Sequence, residues 1–415
     1  MNLLSNKQND AGVRDKLIFL FAVVSFCFPK AGTATAGLPL TVSSSLFLSA
    51  LAANARELSK KQFTLAYAIL FIIMGVSSII TVLLNLGNIT AMNIAYILVL
   101  LSSPLTYQLG LKFDLSQSKK IVSAALIFLG SFSLVQWIFG VRETAVAGLT
   151  IAFGEDYAKK QIIREGIGIS KIPSTYQNGT LLAPFLIIGI AFLLEIKNKT
   201  RSAYFAIVLG IIGLILSGSR SSIFAVVCIL PVLLFRVIKR AQDRQLRLIV
   251  MAFSLLPTAV VLLALFSNSF LKGLTGYIFE IYIGFTQSDT TFSGRTVQWT
   301  DFISIILTLD TGGLFRFMFS GIPWNEGDHM EGLFLLMKLY GVTVFSLFAA
   351  FIVSFFRKFR RLPCIGCALL VLFVIFMIDG SVFYPPTLMN IFLILGMSKP
   401  FLDQTEIMEN EELII

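Results

Sequence analysis

The chain has 415 residues, of which 56% are hydrophobic and only 13% charged, and its formal net charge is +10. A soluble domain carries about 25% charged residues, and a soluble core of this length could not hide so much apolar surface; with a mean hydropathy of +0.85, lipid is the solvent that fits. The positive charge does not indicate nucleic acid, because the basic residues sit in short clusters between apolar runs, as membrane orientation signals do.

A helix that crosses the hydrocarbon needs about 20 mostly apolar residues, each advancing about 1.5 Å. About twelve stretches qualify, near 15–30, 33–53, 63–84, 90–111, 121–140, 178–195, 203–219, 221–236, 248–267, 332–356, 364–380 and 384–399. Arg14 and Lys16 before the first run, with Ala34-Thr35-Ala36 after it, have signal-peptide grammar. Pro29 and Lys30 interrupt that grammar and a second apolar stretch follows at once, so a hairpin of two membrane helices is expected. The expected fold is all-α: a polytopic protein of about twelve membrane helices, forming one membrane domain over residues 1–415.

Orientation follows from where Lys and Arg fall. With the N-terminus in the cytoplasm, the inner turns hold Arg56, Lys60 and Lys61; Lys112, Lys119 and Lys120; Lys197, Lys199 and Arg201; Arg236, Lys239, Arg240, Arg244 and Arg247; and Arg357, Lys358, Arg360 and Arg361. An even span count puts both termini in the cytoplasm. Two outer segments are long, 141–177 and 268–331, the second lying before the tenth span. Function concentrates in such loops, and both are expected to serve as embedded substrate-binding elements. In the larger one, Phe292, Val297, Trp299, Phe302, Ile303 and Ile306 recur at roughly helical spacing, which predicts a surface-lying amphipathic helix.

The informative charges face outward in this topology: Arg142, Arg164, Arg220, Arg295 and Arg316. Arginine offers a planar fork of donors that matches phosphate oxygens; it also snorkels to lipid headgroups or pairs with an acid. Arg220, in the turn Ser217-Gly-Ser-Arg-Ser221, stands among small residues that leave its surroundings open. The polar stretch Ile172-Pro-Ser-Thr-Tyr-Gln-Asn-Gly179 is either a cavity mouth suited to sugars or an ordinary loop punctuated by Pro173. Asp328, His329 and Glu331 put two carboxylates and the one histidine at the mouth of the tenth span, where either type of group could take a proton from a hydroxyl. Lys338 lies about two turns deeper on the same helix. Cys364-Ile-Gly-Cys367 has redox spacing but opens a membrane helix, so packing is the better reading. A single histidine excludes a multi-histidine metal site, and no Asp-x-Asp pair suggests a nucleotide-sugar donor.

The order Ser217-Gly-Ser-Arg220, then Phe292-Ser-Gly-Arg295 with Trp299, then Asp328-His329 with Leu-Met-Lys-Leu-Tyr-Gly341, resembles the O-antigen polymerase and O-antigen ligase superfamily over roughly Pro173–Gly341. The resemblance implies an inner-membrane glycosyltransferase that works without metal or other cofactor. Its donor would be an undecaprenyl-diphosphate-linked glycan, and its partners membrane lipid and a chain-length regulator protein, not nucleic acid. It implies that Arg220 and Arg295 hold the donor diphosphate, joined by Arg164 and by Arg316, whose spacing to Gly327 matches an Arg-x10-Gly pattern of polymerases. Tyr176, Asn178 and Trp299 are the expected glycan contacts, and the catalytic base would be Asp328, His329 or Glu331. The ligase branch expects His-Asn where this chain has His329-Met330-Glu331. Polymerisation of repeat units is therefore the first reading, ligation of finished glycan to a lipid or protein the second, and glycolipid transport the third.

Overall fold

The computed structural model describes residues 2–35, 38–61, 65–88, 91–153, 172–176, 178–219, 222, 295–323, 332–378 and 384–404. The helices are α1 (Asn2–Cys27), α2 (Val42–Lys61), α3 (Leu65–Leu84), α4 (Ala91–Gly110), α5 (Leu115–Phe139), α6 (Gly179–Glu195), α7 (Arg201–Leu216), α8 (Arg295–Thr308), α9 (Thr311–Ser320), α10 (Leu333–Phe359), α11 (Pro363–Ile378) and α12 (Pro385–Met397). Helices α5 and α10 are long and apolar enough to cross a membrane, and parts of α2, α3, α6, α7 and α11 are shorter apolar helices. The expected spans at 221–236 and 248–267 lie outside the described residues.

Side-chain caps mark several boundaries. The Asp114 carboxylate accepts from Gln117 N at 2.7 Å to start α5, and the Asn178 side chain accepts from Leu181 N at 2.9 Å to start α6. Glu195, at the end of α6, accepts from Cys364 N at 2.6 Å and Ile365 N at 3.1 Å, so its charge sits on the N-terminus of α11. Helices α4 and α12 make one of the most extensive contacts, and a pair of glycines lets them approach. A Cβ on Gly110 would lie 2.3 Å from Leu393 O, and one on Gly396 would lie 2.2 Å from Tyr107 O. Between α5 and α7, Gly130 does the same against Leu209. Small residues at such crossings supply the packing that binds helices when lipid is the solvent.

Two expectations are corrected. The second span, expected over 33–53, is a short antiparallel hairpin, β1 (Gly32–Thr35) and β2 (Leu38–Thr41), followed by α2 from Val42. The β-branched Thr33, Thr35 and Thr41 favour extended backbone, and β1 gains further partners from the first outer segment. Gly32 N donates to Gly148 O at 3.0 Å, and Phe153 N donates to Gly32 O at 3.0 Å. The tenth span, expected to be continuous, breaks at Gly341, where φ is +88° and ψ 169°. At the break the backbone of α9 fits against Gly341: a Cβ there would lie 2.8 Å from Phe317 O and 2.9 Å from Ser320 N.

The segment expected as the larger outer one contains a helix, α8, where an amphipathic helix was expected, but α9 was not anticipated and does not lie on the end of the bundle. Ser77 Oγ of α3 donates to Phe319 O at 2.7 Å, and Thr343 Oγ1 of α10 donates to Met318 O at 2.8 Å. Ser77 is eight residues before Asn85, or about 12 Å along the helix. The C-terminal end of α9 therefore reaches the middle of α3. Leu314, Phe315, Met318 and Phe319 on α9 are exposed, as are Ile72, Val76, Ile79, Ile80 and Leu83 on α3.

The α4–α12 crossing yields a direct test. Gly396→Leu should cost about 2 kcal/mol or more by overpacking and lower the thermal unfolding midpoint of detergent-purified protein, whereas Ile303→Ala, at an exposed position of α8, should leave it unchanged.

Candidate functional site

The helix ends sort into two sets. At one end of the bundle, Lys119 Nζ donates to Asn198 O at 3.3 Å, Lys199 Nζ to Ile196 O at 2.6 Å and Lys358 Nζ to Tyr107 Oη at 2.7 Å. Lys112, Lys120, Lys197, Arg201, Arg357, Arg360, Arg361 and Lys399 belong to the same turns. The opposite end gathers the C-terminal ends of α1, α3, α5 and α7 and the N-terminal ends of α6 and α12, with the hairpin and the 140–153 segment beside them. There the side chains bond across long stretches of sequence.

The polar stretch at 172–179 is the hub of that end. Ile172 N donates to Leu216 O at 3.1 Å. A Cβ on Gly179 would lie 1.8 Å from Ser217 O, so the start of α6 rests directly on the end of α7. The structure thus joins two motifs separated by some forty residues, the Pro173–Gly179 stretch and the Ser217-Gly-Ser-Arg-Ser turn. Ser217, Ser219 and Ser222 are fully buried, and Ser219 Oγ donates to Ser222 Oγ at 2.7 Å. These two serines bracket Arg220.

Tyr176 and Asn178, expected as glycan contacts, are engaged within the protein. Tyr176 is 3% exposed; its hydroxyl donates to Phe26 O at 3.3 Å and accepts from Asn390 Nδ2 at 3.1 Å. Burial raises its phenol well above the usual range, so it remains a neutral hydrogen-bonding group. Asn178 caps α6 and accepts from Thr180 Oγ1 at 2.5 Å.

Arg316 lies on α9. Its Nη2 donates to Asn85 Oδ1 at 3.1 Å, while its Nε is buried without a hydrogen-bond partner among the described residues. It lines a cavity of about 300 Å³ with Leu309, Gly312, Gly313, Gly321, Ile322 and Pro323. Asn85 is itself placed by its Nδ2, which donates to Thr81 O at 2.8 Å. A guanidinium held in this way, with one donor still unmatched beside a cavity, can receive an anionic oxygen. Lys338 is also buried, and its carbonyl accepts from Ile322 N at 2.8 Å, tying the return from α9 to α10.

Helix α8 begins at Arg295 and carries Trp299. Arg164, Arg220, Asp328, His329 and Glu331 lie outside the described residues; Pro323 and Gly332 flank the last three. Cys27, Cys364 and Cys367 are buried, as packing residues are. Sequence reasoning missed Gln136, Asn390 and Asn85. Gln136 and Asn390 are uncharged amides within apolar helical runs and Asn85 directly follows one, and that position was the available signal.

Residues 205–312 match the family described as O-Antigen ligase. The matched stretch contains both Arg220 and Arg295, and it supports the O-antigen polymerase and ligase superfamily to which the motifs pointed. No curated protein matches the chain. The match covers about a quarter of the chain and is a likeness of that stretch to the O-antigen ligase family; the apolar helices α5 and α10 fit a membrane protein.

The Arg316–Asn85 contact can be tested separately. Asn85→Leu would leave the guanidinium without its acceptor in a buried setting and should cost about 1–3 kcal/mol. Asn85→Asp should keep the thermal unfolding midpoint at or above that of the parent.

Proposed function

We propose that the chain polymerises undecaprenyl-diphosphate-linked oligosaccharide repeat units at the outer face of the inner membrane. The acceptor sugar hydroxyl attacks the anomeric carbon of the donor on the side opposite its diphosphate. The bond from that carbon to the diphosphate oxygen breaks, and the diphosphate leaves on its lipid carrier. Asp328, His329 or Glu331 takes the hydroxyl proton. Arg220 and Arg295, with Arg316 and Arg164, meet the charge that grows on the leaving group; fixed cations do this best where water is scarce. Trp299, Tyr176 and Asn178 belong to the glycan side, the last two shaping the wall from within. The membrane holds both glycolipids by their tails and aligns them, a proximity effect. Neither metal nor cofactor is needed, and a chain-length regulator is a fitting protein partner.

The observation that carries this reading is the partition of charge along the bundle. Lysines and arginines of the short turns collect at one end, while the Ser217–Ser222 turn and the Arg316 cavity belong to the other. Positive turns face the cytoplasm, which supports a topology of about twelve spans with cytoplasmic termini and the motif arginines outside.

Ligation is the second reading, favoured by the description of the matched family. Transport is the third. It has the Gly341 break in α10 on its side, since transporters use interrupted helices, but they use them in symmetric pairs. Among the described residues no second helix carries such a break.

Arg220→Ala and Arg295→Ala should each leave cells with single-repeat glycan and little ladder on a gel. Normal long chains in both would overturn the polymerase reading. Deletion that accumulates long lipid-linked glycan without its final acceptor would establish ligation. Purified protein that moves labelled glycolipid across vesicles without lengthening it would establish transport.

A further inference from the structure

We infer that Asn85, at the end of α3, is a positioning residue: an uncharged acceptor that holds the Arg316 guanidinium beside its cavity to receive a phosphate group. The inference rests on the reading of Arg316 as a diphosphate contact. Arg316 Nη2 donates to Asn85 Oδ1 at 3.1 Å across 231 positions of sequence. The amide is oriented from its other side. Asn85 Nδ2 donates to Thr81 O at 2.8 Å, on the preceding turn of α3, and a carbonyl accepts only from the nitrogen of an amide. The oxygen therefore faces the guanidinium. The helix that carries Arg316 is held on two sides just beyond it. Ser77 Oγ of α3 donates to Phe319 O at 2.7 Å, and Thr343 Oγ1 of α10 donates to Met318 O at 2.8 Å. After α9 the chain is held again, because Ile322 N donates to Lys338 O and a Cβ on Gly321 would lie 2.2 Å from that same oxygen. Helix α9 cannot slide along α3 without breaking these contacts, and Asn85 then sets where the side chain of Arg316 ends.

The bond to Asn85 uses one donor of the guanidinium fork. Nε is buried with no partner among the described residues, and a donor left so is costly until an acceptor arrives. Arg316 lines a cavity of about 300 Å³ whose other lining residues are apolar or glycine, so no carboxylate competes from its walls. Asp310, at the start of α9, has its Oδ1 committed to Gly313 N at 2.7 Å. The chemistry of residue 85 decides what the fork can then do. Aspartate would bond the same guanidinium at least as strongly, but it would cancel the charge that a phosphate oxygen needs. Leucine would leave the fork unheld. Asparagine orients the guanidinium and leaves its full positive charge for the incoming anion.

The test measures binding to the purified full-length protein in nanodiscs, with undecaprenyl diphosphate and inorganic diphosphate as the two probes. Asn85→Asp should keep the thermal unfolding midpoint at or above that of the parent, yet weaken binding of undecaprenyl diphosphate about tenfold or more, the loss expected when a hydrogen bond to a charged group goes. Asn85→Ala should weaken it as well, and should cost nothing further in an Arg316→Ala background, the sign of two residues acting through one contact. The same pattern with inorganic diphosphate would show that the headgroup alone is read; the pattern with the lipid probe alone would assign the site to a lipid-borne diphosphate. Parent affinity in Asn85→Asp, or a midpoint that falls together with the affinity, would overturn the positioning role. So would a loss in Asn85→Ala that persists undiminished in Arg316→Ala. If Arg316→Ala alone binds both probes as the parent does, the diphosphate reading of Arg316 fails, and the role of Asn85 falls with it.

Discussion

Lipid offers no hydrogen bonds, so each polar group among these helices must find its partner within the protein. Along the helices the solution is local. Asn54 donates to Ala50 O, Ser78 to Met74 O, Thr81 to Ser77 O, Ser103 to Val99 O, Ser133 to Leu129 O and Ser398 to Ile394 O. Each side chain returns to the preceding turn of its own helix and asks nothing of its neighbours. Other polar groups reach across the sequence: Lys358 to Tyr107 and Glu195 to Cys364 at the lysine-rich end, and Asn390 to Tyr176, Gln136 to Ser174 and Arg316 to Asn85 toward the end that bears the motif turn. There the polar chemistry stops serving solvation and begins to set geometry.

On the proposed reading, the same scarcity of water would give the arginines their strength. A guanidinium in bulk water is already well solvated and gains little from a phosphate. At Arg316, Asn85 supplies one acceptor and Nε has none among the described residues, the setting in which the proposed phosphate contact would gain most. The seat of Arg316 depends in turn on α9 lying between α3 and α10, and α9 fits only because α10 opens at Gly341. One backbone break in a membrane helix thus leads, by packing, to the placement of one charged side chain.

Much of the helical scaffold was legible from hydropathy alone, because a lipid-facing helix declares itself by length and apolarity. Helices α4, α6 and α12 lie within a few residues of their expected spans. The misses share a cause. The Gly32–Thr41 hairpin and α9 are set by contacts with distant segments, Gly148 and Phe153 in one case and Ser77 and Thr343 in the other, which no window of sequence contains. At the candidate site, the charged residues drew notice in the sequence because charge is expensive in lipid. The amides Gln136 and Asn390 were not, since a neutral amide barely disturbs an apolar run, and its importance lies in a partner on another helix. Asn178 and Tyr176 stood out as polar, yet only packing reveals that they face inward, to a helix cap and to the carbonyl of Phe26.

The account depends above all on which side of the membrane the motif arginines occupy, because lipid-linked repeat units can be joined only where they are displayed. Single cysteines placed at positions 220 and 295 should react with a membrane-impermeant thiol reagent added to the outside of spheroplasts. Reaction that occurs only after the membrane has been opened would put both positions in the cytoplasm and contradict the assignment.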